Sequence, residues 1–180
     1  PTAGACGVLP AVLVPYFQKR CRDTDKILKA MYVAAGIGQI IATRSSISGA
    51  AGGCQAEIGS ASSMAAGALT YLQGGNCEQI ATAAAMAMKN LLGLVCDPVA
   101  GLVEVPCVKR NVIGTVNAMA CADMAMAGIV SRIPPDQVMD AMKEVGDKMD
   151  ASLRETALGG LAQTDEGMKI AEKMHASYEN

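Results

Sequence analysis

The chain has 180 residues, enough for one domain with a sizeable core. Hydrophobic residues make up 51% and aromatics only 3%, and the net charge is −2 with no basic run. These values exclude a nucleic-acid surface and leave the core to Ala, Val, Ile, Leu and twelve Met, side chains that let helices approach closely.

Mean hydropathy is +0.27. The longest weakly charged run, 112–130, contains Asn117 and Asp123 and is rich in Ala, Gly and Met. A central Asp costs roughly 3 kcal/mol in a membrane span, so this run predicts a buried helix and no membrane partner. Seven cysteines, odd in number and widely spaced, do not make a secreted disulfide framework. They indicate a reducing, cytoplasmic setting, and no signal peptide is visible.

The first residues, PTAGACG, read as a motif already under way, so an upstream part is expected to be missing. Residues 1–8 form a loop. Its small residues either bring amides to a ligand's carboxylate, helped by the positive end of the next helix, or simply connect. Pro10 suits the first turn of a helix through about Arg20. Asp23 caps a second helix to Thr43, with Ile27, Leu28, Met31, Ala34 and Ala35 as its buried stripe. RSSISGAAGG is a loop or a loosened helix start. A small-residue helix follows over 54–72 and another over 78–92. VAGLVEVP is an irregular connection. The helix over 111–129 is apolar nearly all round and should be central. Pro134, Pro135 and Asp136 start a surface helix, with Val138, Met142, Val145 and Met149 at amphipathic spacing. Gly159 and Gly160 turn into a last helix ending near Met174. The fold class is all-α: a compact bundle of small-residue-rich helices with cysteine-bearing loops, one helical domain over 1–180.

Three cysteines stand apart by context: GGCQAEIG at Cys54, LVCDPVAG at Cys96 and VEVPCVKRN at Cys107. Gly52 and Gly53 allow close backbone approach to a bulky group. Pro98 and Pro106 fix φ, so the later two cysteines are expected on shaped turns. Three thiolates from separate bends can cap three corners of an inorganic cluster and leave the fourth open. The intervals of 42 and 11 residues match no compact cluster run, and the absence of a CxxC pair argues against a structural zinc ribbon. Cys121 reads as a small buried hydrophobe, Cys21 and Cys77 as incidental, and Cys6 as ambiguous. His175, the sole histidine, reads as solvated, so no Ser–His–Asp system can be built. Glu57, Asp97 and Glu104 could move protons beside a metal or form buried ion pairs. Lys109 and Arg110 could receive a substrate carboxylate or make a helix-start salt bridge.

PTAGACG, SGAAGGCQAEIGSASSMAAGALT, CDPVAGLVEVPCVKRN and ETALGGLA together resemble the α chain of iron–sulfur-dependent L-serine dehydratase, also called L-serine ammonia-lyase. The resemblance runs roughly over 1–162, and DPVAGLVEVPC is its most specific part. It implies a largely helical catalytic region and a 4Fe–4S cluster on Cys54, Cys96 and Cys107 with one open iron. It implies conversion of L-serine to pyruvate and ammonia without PLP, with the open iron as Lewis acid for the hydroxyl. Thr2, Gly4, Arg110 and Asn111 are the candidates for anchoring substrate. The family also implies a partner, either a β subunit or an upstream regulatory-type domain, and an oligomer. Some single-chain members end in a cysteine that can occupy the open iron. The tail HASYEN has none and is more like the two-subunit type. Because the family draws further active-site residues from upstream of PTAGACG, this chain alone is expected to be inactive. The alternatives are a related iron–sulfur lyase such as a cysteine desulfidase, or a non-enzymatic helical interaction module with inert cysteines.

Overall fold

The computed structural model describes residues 1–178; Glu179 and Asn180, the end of the HASYEN tail, lie outside the described residues. Among the described residues, eight α-helices run in the order α1 (Val8–Lys19), α2 (Thr24–Arg44), α3 (Gly49–Gly52), α4 (Ser60–Leu72), α5 (Cys77–Lys89), α6 (Cys107–Met126), α7 (Pro135–Lys148) and α8 (Asp165–Tyr178). The only extended pairing among the described residues is an isolated parallel bridge between Cys96 and Arg154. No described helix is long and apolar enough to cross a membrane.

The helix starts follow local chemistry. Asp23 accepts from the Lys26 amide at the start of α2, and Asn76 and Gln79 form a reciprocal capping box on α5. Pro135 opens α7, whose Val138 and Met142 are buried as their spacing predicts.

The centre is α4, not α6. Every residue of α4 except Tyr71 is buried, and it packs against α1, α2, α5 and α6. Its sequence SASSMAAGALTYL offers small surfaces on all sides. Three of its buried hydroxyls bond backbone carbonyls: Ser62 donates to Gly114 at 2.8 Å, Ser63 to Ala84 at 2.7 Å and Thr70 to Ala66 at 2.8 Å, while the hydroxyl of Ser60, its first residue, is buried without a hydrogen-bond partner. By contrast, α6 buries Cys107 at its start and the face of Gly114, Ala118, Cys121, Ala122 and Ala125, and turns Val108, Val112 and Val116 outward.

The stripe expected on α2 holds at Ala34 and, partly buried, at Ile27, and is corrected at Leu28, Met31 and Ala35, which are exposed. Leu28 and Met31 are about half exposed, and Ala30, Ala34 and Ile41 face the core. Close helix packing selects the small side chain, and a Cβ at Gly38 would come 2.9 Å from Met64.

Candidate metal centre

Helix α3 ends at Gly53, whose φ of +75° favours glycine. The bare backbone of Gly52 and Gly53 admits α7 and Met149: a Cβ at Gly146 would lie 2.9 Å from Gly52 Cα. The bulky neighbour expected at these glycines is therefore a helix. Beyond Gly53 come Cys54 and a π-helical turn, Gln55–Gly59, that leads into α4. Such turns widen the helix locally and are frequent at functional sites. Gln55 fixes this one. Its amide nitrogen donates to Met142 O at 2.9 Å, its side-chain carbonyl accepts from Gly93 N at 2.9 Å, and its backbone N donates to Leu94 O at 2.9 Å.

These bonds bring the segment after Gly93 against the π turn. Cys96 is then clasped by the later loop: its N–H donates to Leu153 O at 2.8 Å, and Glu155 N donates to its carbonyl at 2.7 Å. Ala100, Glu155 and Ala157 all adopt left-handed φ in these two loops, strain that the surrounding contacts must hold. Cys107 is the first residue of α6, directly after Pro106, so it lies on a helix start and not on a free turn.

The three cysteines come together although sequence separates them. Cys54, Cys96 and Cys107 are 0%, 2% and 3% exposed. The Cys54 thiol faces both of the others. The sulfurs of Cys54 and Cys96 and a carboxylate oxygen of Glu57 all lie within 4.8 Å of one another, close enough to hold a metal ion. Contact with Cys107 pulls the Cys54 pKa down, but contact with Cys96, burial and the Cys96 charge outweigh it and leave the thiol at about 12. The Cys107 thiol is pushed well above its ordinary range by contact with Cys54, then by burial. Thiols so disfavoured as bare anions become thiolates when a metal takes the proton's place.

The carboxylates divide. Glu104 is exposed. Asp97 is buried and paired with Arg110, its Oδ1 2.8 Å from Nη2 though off-angle for a hydrogen bond. Its Oδ2 accepts from Leu161 N at 2.8 Å. Arg110 Nη1 donates to Val95 O at 2.7 Å, and its charge lies near Cys54 and Cys107. Of the two readings of Arg110, the structure shows the ion pair; Lys109 is exposed. Glu57 accepts from the Thr2 hydroxyl at 2.8 Å, and that hydroxyl also lies 2.9 Å from Ile47 O. A Cβ at Gly4 would overlap the Glu57 carboxylate, and one at Gly49 would sit 2.9 Å from Cys96 Sγ. Asn111 uses all its polar atoms on backbone: Nδ2 donates to Gly4 O at 2.7 Å and Cys107 O at 2.8 Å, and Oδ1 accepts from Gly7 N at 3.1 Å. Thr2, Gly4 and Asn111 thus line the same corner as Glu57.

Cys121 is buried on α6, and Cys6 and Cys77 are exposed. His175 is exposed. The sequence reading passed over Gln55, Gly49 and the Leu161 amide. Gly49 and Leu161 lie in strings, SGAAGG and ETALGGLA, whose paired glycines were the available signal.

A soft, sulfur-rich donor set on several loops suits iron–sulfur chemistry. The family model described as serine dehydratase alpha chain matches residues 1–162. The chain belongs to this family. It is 54% identical over 174 residues to the "Probable L-serine dehydratase, alpha chain" of Bacillus subtilis, covering 97% of this chain and 58% of that protein. Over 170 residues it is 54% identical to the Latilactobacillus sakei protein of the same description, covering 94% and 81%. The "L-serine dehydratase TdcG" of Escherichia coli is 48% identical over 164 residues, covering 90% of this chain and 36% of that protein. The chain thus spans 58% of one α-chain relative and about a third of a longer family member. The Cys54, Cys96 and Cys107 strings all fall inside the family match.

Proposed function

We propose that this chain is the cluster-holding part of an L-serine ammonia-lyase that turns L-serine into pyruvate and ammonia. The observation carrying the proposal is the convergence of three buried cysteines and one carboxylate from elements as far apart in sequence as the π turn and α6. Cys54, Cys96 and Cys107 would hold a 4Fe–4S cluster. Bound there, the cluster supplies a Lewis-acidic iron toward the serine hydroxyl.

The chain's own residues do the rest of the positioning. Arg110, fixed by Asp97 and the Val95 carbonyl, places a positive charge beside the thiolates. The loop of Thr2 and Gly4 is assigned to the substrate's carboxylate end, and Asn111 holds that loop against α6. Loss of the α-proton and the β-hydroxyl removes one water; the resulting aminoacrylate takes one water back and gives pyruvate and ammonia. A second subunit or domain completes the enzyme, in keeping with the α-chain descriptions of the relatives. The expected setting is the cytoplasm, in amino-acid catabolism, in an oligomer.

Anaerobic reconstitution of the assembled enzyme should give a brown protein with about four iron and four sulfide per chain. Formation of the 2-oxo acid should be fast with L-serine and fall away with L-threonine, which would give 2-oxobutyrate, and with L-cysteine, which would give pyruvate. Free thiols that titrate fully in the folded protein, with no iron retained, would sink the reading.

A further inference from the structure

Among the described residues, the Glu57 carboxylate is the acid held against the sulfurs of Cys54 and Cys96. Its placement is built. The Thr2 hydroxyl donates to one oxygen, and the missing side chains of Gly4 and Gly49 leave it room beside Cys96. It is 7% exposed, and among the described residues no Lys, Arg or His comes within ion-pair distance of it. The nearby cation, Arg110, is engaged by Asp97. A carboxylate buried among thiols with a single hydroxyl donor lacks the positive partner that such groups usually require. A metal ion at the cysteines would be that partner. The donor types differ as well, since oxygen is harder than sulfur and exchanges more readily at iron.

We propose that Glu57 is the protein ligand of the metal position that the three cysteines leave open, occupying it until substrate displaces the carboxylate. This rests on the cluster assignment above and adds to it a resident oxygen ligand. It gives Thr2 a defined part: the hydroxyl steadies the carboxylate in the liganded state and keeps it within reach when displaced.

The test reconstitutes the assembled enzyme anaerobically as wild type, Glu57→Ala and Glu57→Gln. Iron and sulfide are counted, and the reduced cluster is recorded by electron paramagnetic resonance in ordinary and 17O-enriched water. Wild type should hold about four irons and show no 17O broadening without serine. Both variants should lose about a quarter of their iron and give a three-iron signal on mild oxidation. Glu57→Gln keeps the volume and an acceptor for Thr2, so far-UV circular dichroism separates ligand loss from misfolding. Should both variants fail to fold, the 17O spectrum of wild type still decides. Four irons in folded variants, or 17O broadening in resting wild type, would overturn the Glu57 ligand while leaving the cluster intact. Failure of wild type to take up any iron would overturn both.

Discussion

Cys107 and Cys121 lie on the same helix and are equally buried, yet they occupy different chemistries. Cys107 opens α6 against Cys54, with Glu57 and Arg110 nearby. Cys121 sits near the far end among alanines, with Asn90 donating to its sulfur at 3.5 Å and Asn117 3.6 Å away. Burial of a cysteine therefore does not make a metal site. What distinguishes Cys107 is that Cys54, from just before the π turn, lies against its sulfur, while Cys121 packs among helix residues. The site is a product of loop convergence, and the loops are fixed by Gln55, Asp97 and Arg110.

The comparison breaks if either cysteine can replace the other in its effect on metal. Cys96→Ala or Cys107→Ala should abolish cluster colour, iron content and serine turnover together, whereas Cys121→Ala should keep all three. Iron retained in Cys96→Ala would refute the division. The next largest effect is on the brace. Arg110→Met leaves Asp97 buried without its charge partner, with side-chain exposures of 12% and 4% in the native pair. Breaking such a pair costs about 3–5 kcal/mol, so the urea midpoint of the cluster-free protein should fall steeply. Gly160→Ala attacks the same loop from the other side. Gly160 has φ +62° and its added Cβ would overlap the Asp97 carboxylate, so a loss of about 1–3 kcal/mol is expected with reduced iron uptake. An unchanged midpoint would mean that the loop does not depend on Asp97.

Much of this was readable from residues. Asp23 and Pro135 marked their helix starts, and Gly- or Pro-rich surroundings singled out Cys54, Cys96 and Cys107 from four other cysteines. The wrong readings share a cause. Taking large apolar residues as inward misplaced the α2 stripe and made α6 the centre, because hydropathy does not show which helix has neighbours on every side. In a core of alanines the small side chain marks the contact, as Ala30 and Ala34 do. The partner of Arg110 was also hidden. Asp97 reaches it only because Val95 and Cys96 are held in place by hydrogen bonds to Arg110 and Leu153. No local pattern encodes such long-range hydrogen bonds. The π turn, which sets where Glu57 points, has no signal in QAEIG beyond its small residues.

The smallest expected effect tests whether Cys121 is only a packing residue. Burial raises its thiol from 9.0 to about 11, opposed by Lys89. The folded chain thus keeps this proton over a range where the unfolded chain releases it. By linkage, the stability from the neutral buried thiol is fully present below about pH 9 and is lost as pH rises toward 11. Cys121→Ala removes that term along with a buried sulfur, a change that should cost about 1 kcal/mol at pH 8. Both proteins share the other six cysteines, so their common titration cancels in the difference. Anaerobic urea unfolding of the cluster-free proteins should therefore show the gap narrowing from pH 8 to pH 10.5. A gap that widens would mean that Cys121 is stabilised as a thiolate, and that the two ends of α6 are more alike than their surroundings indicate.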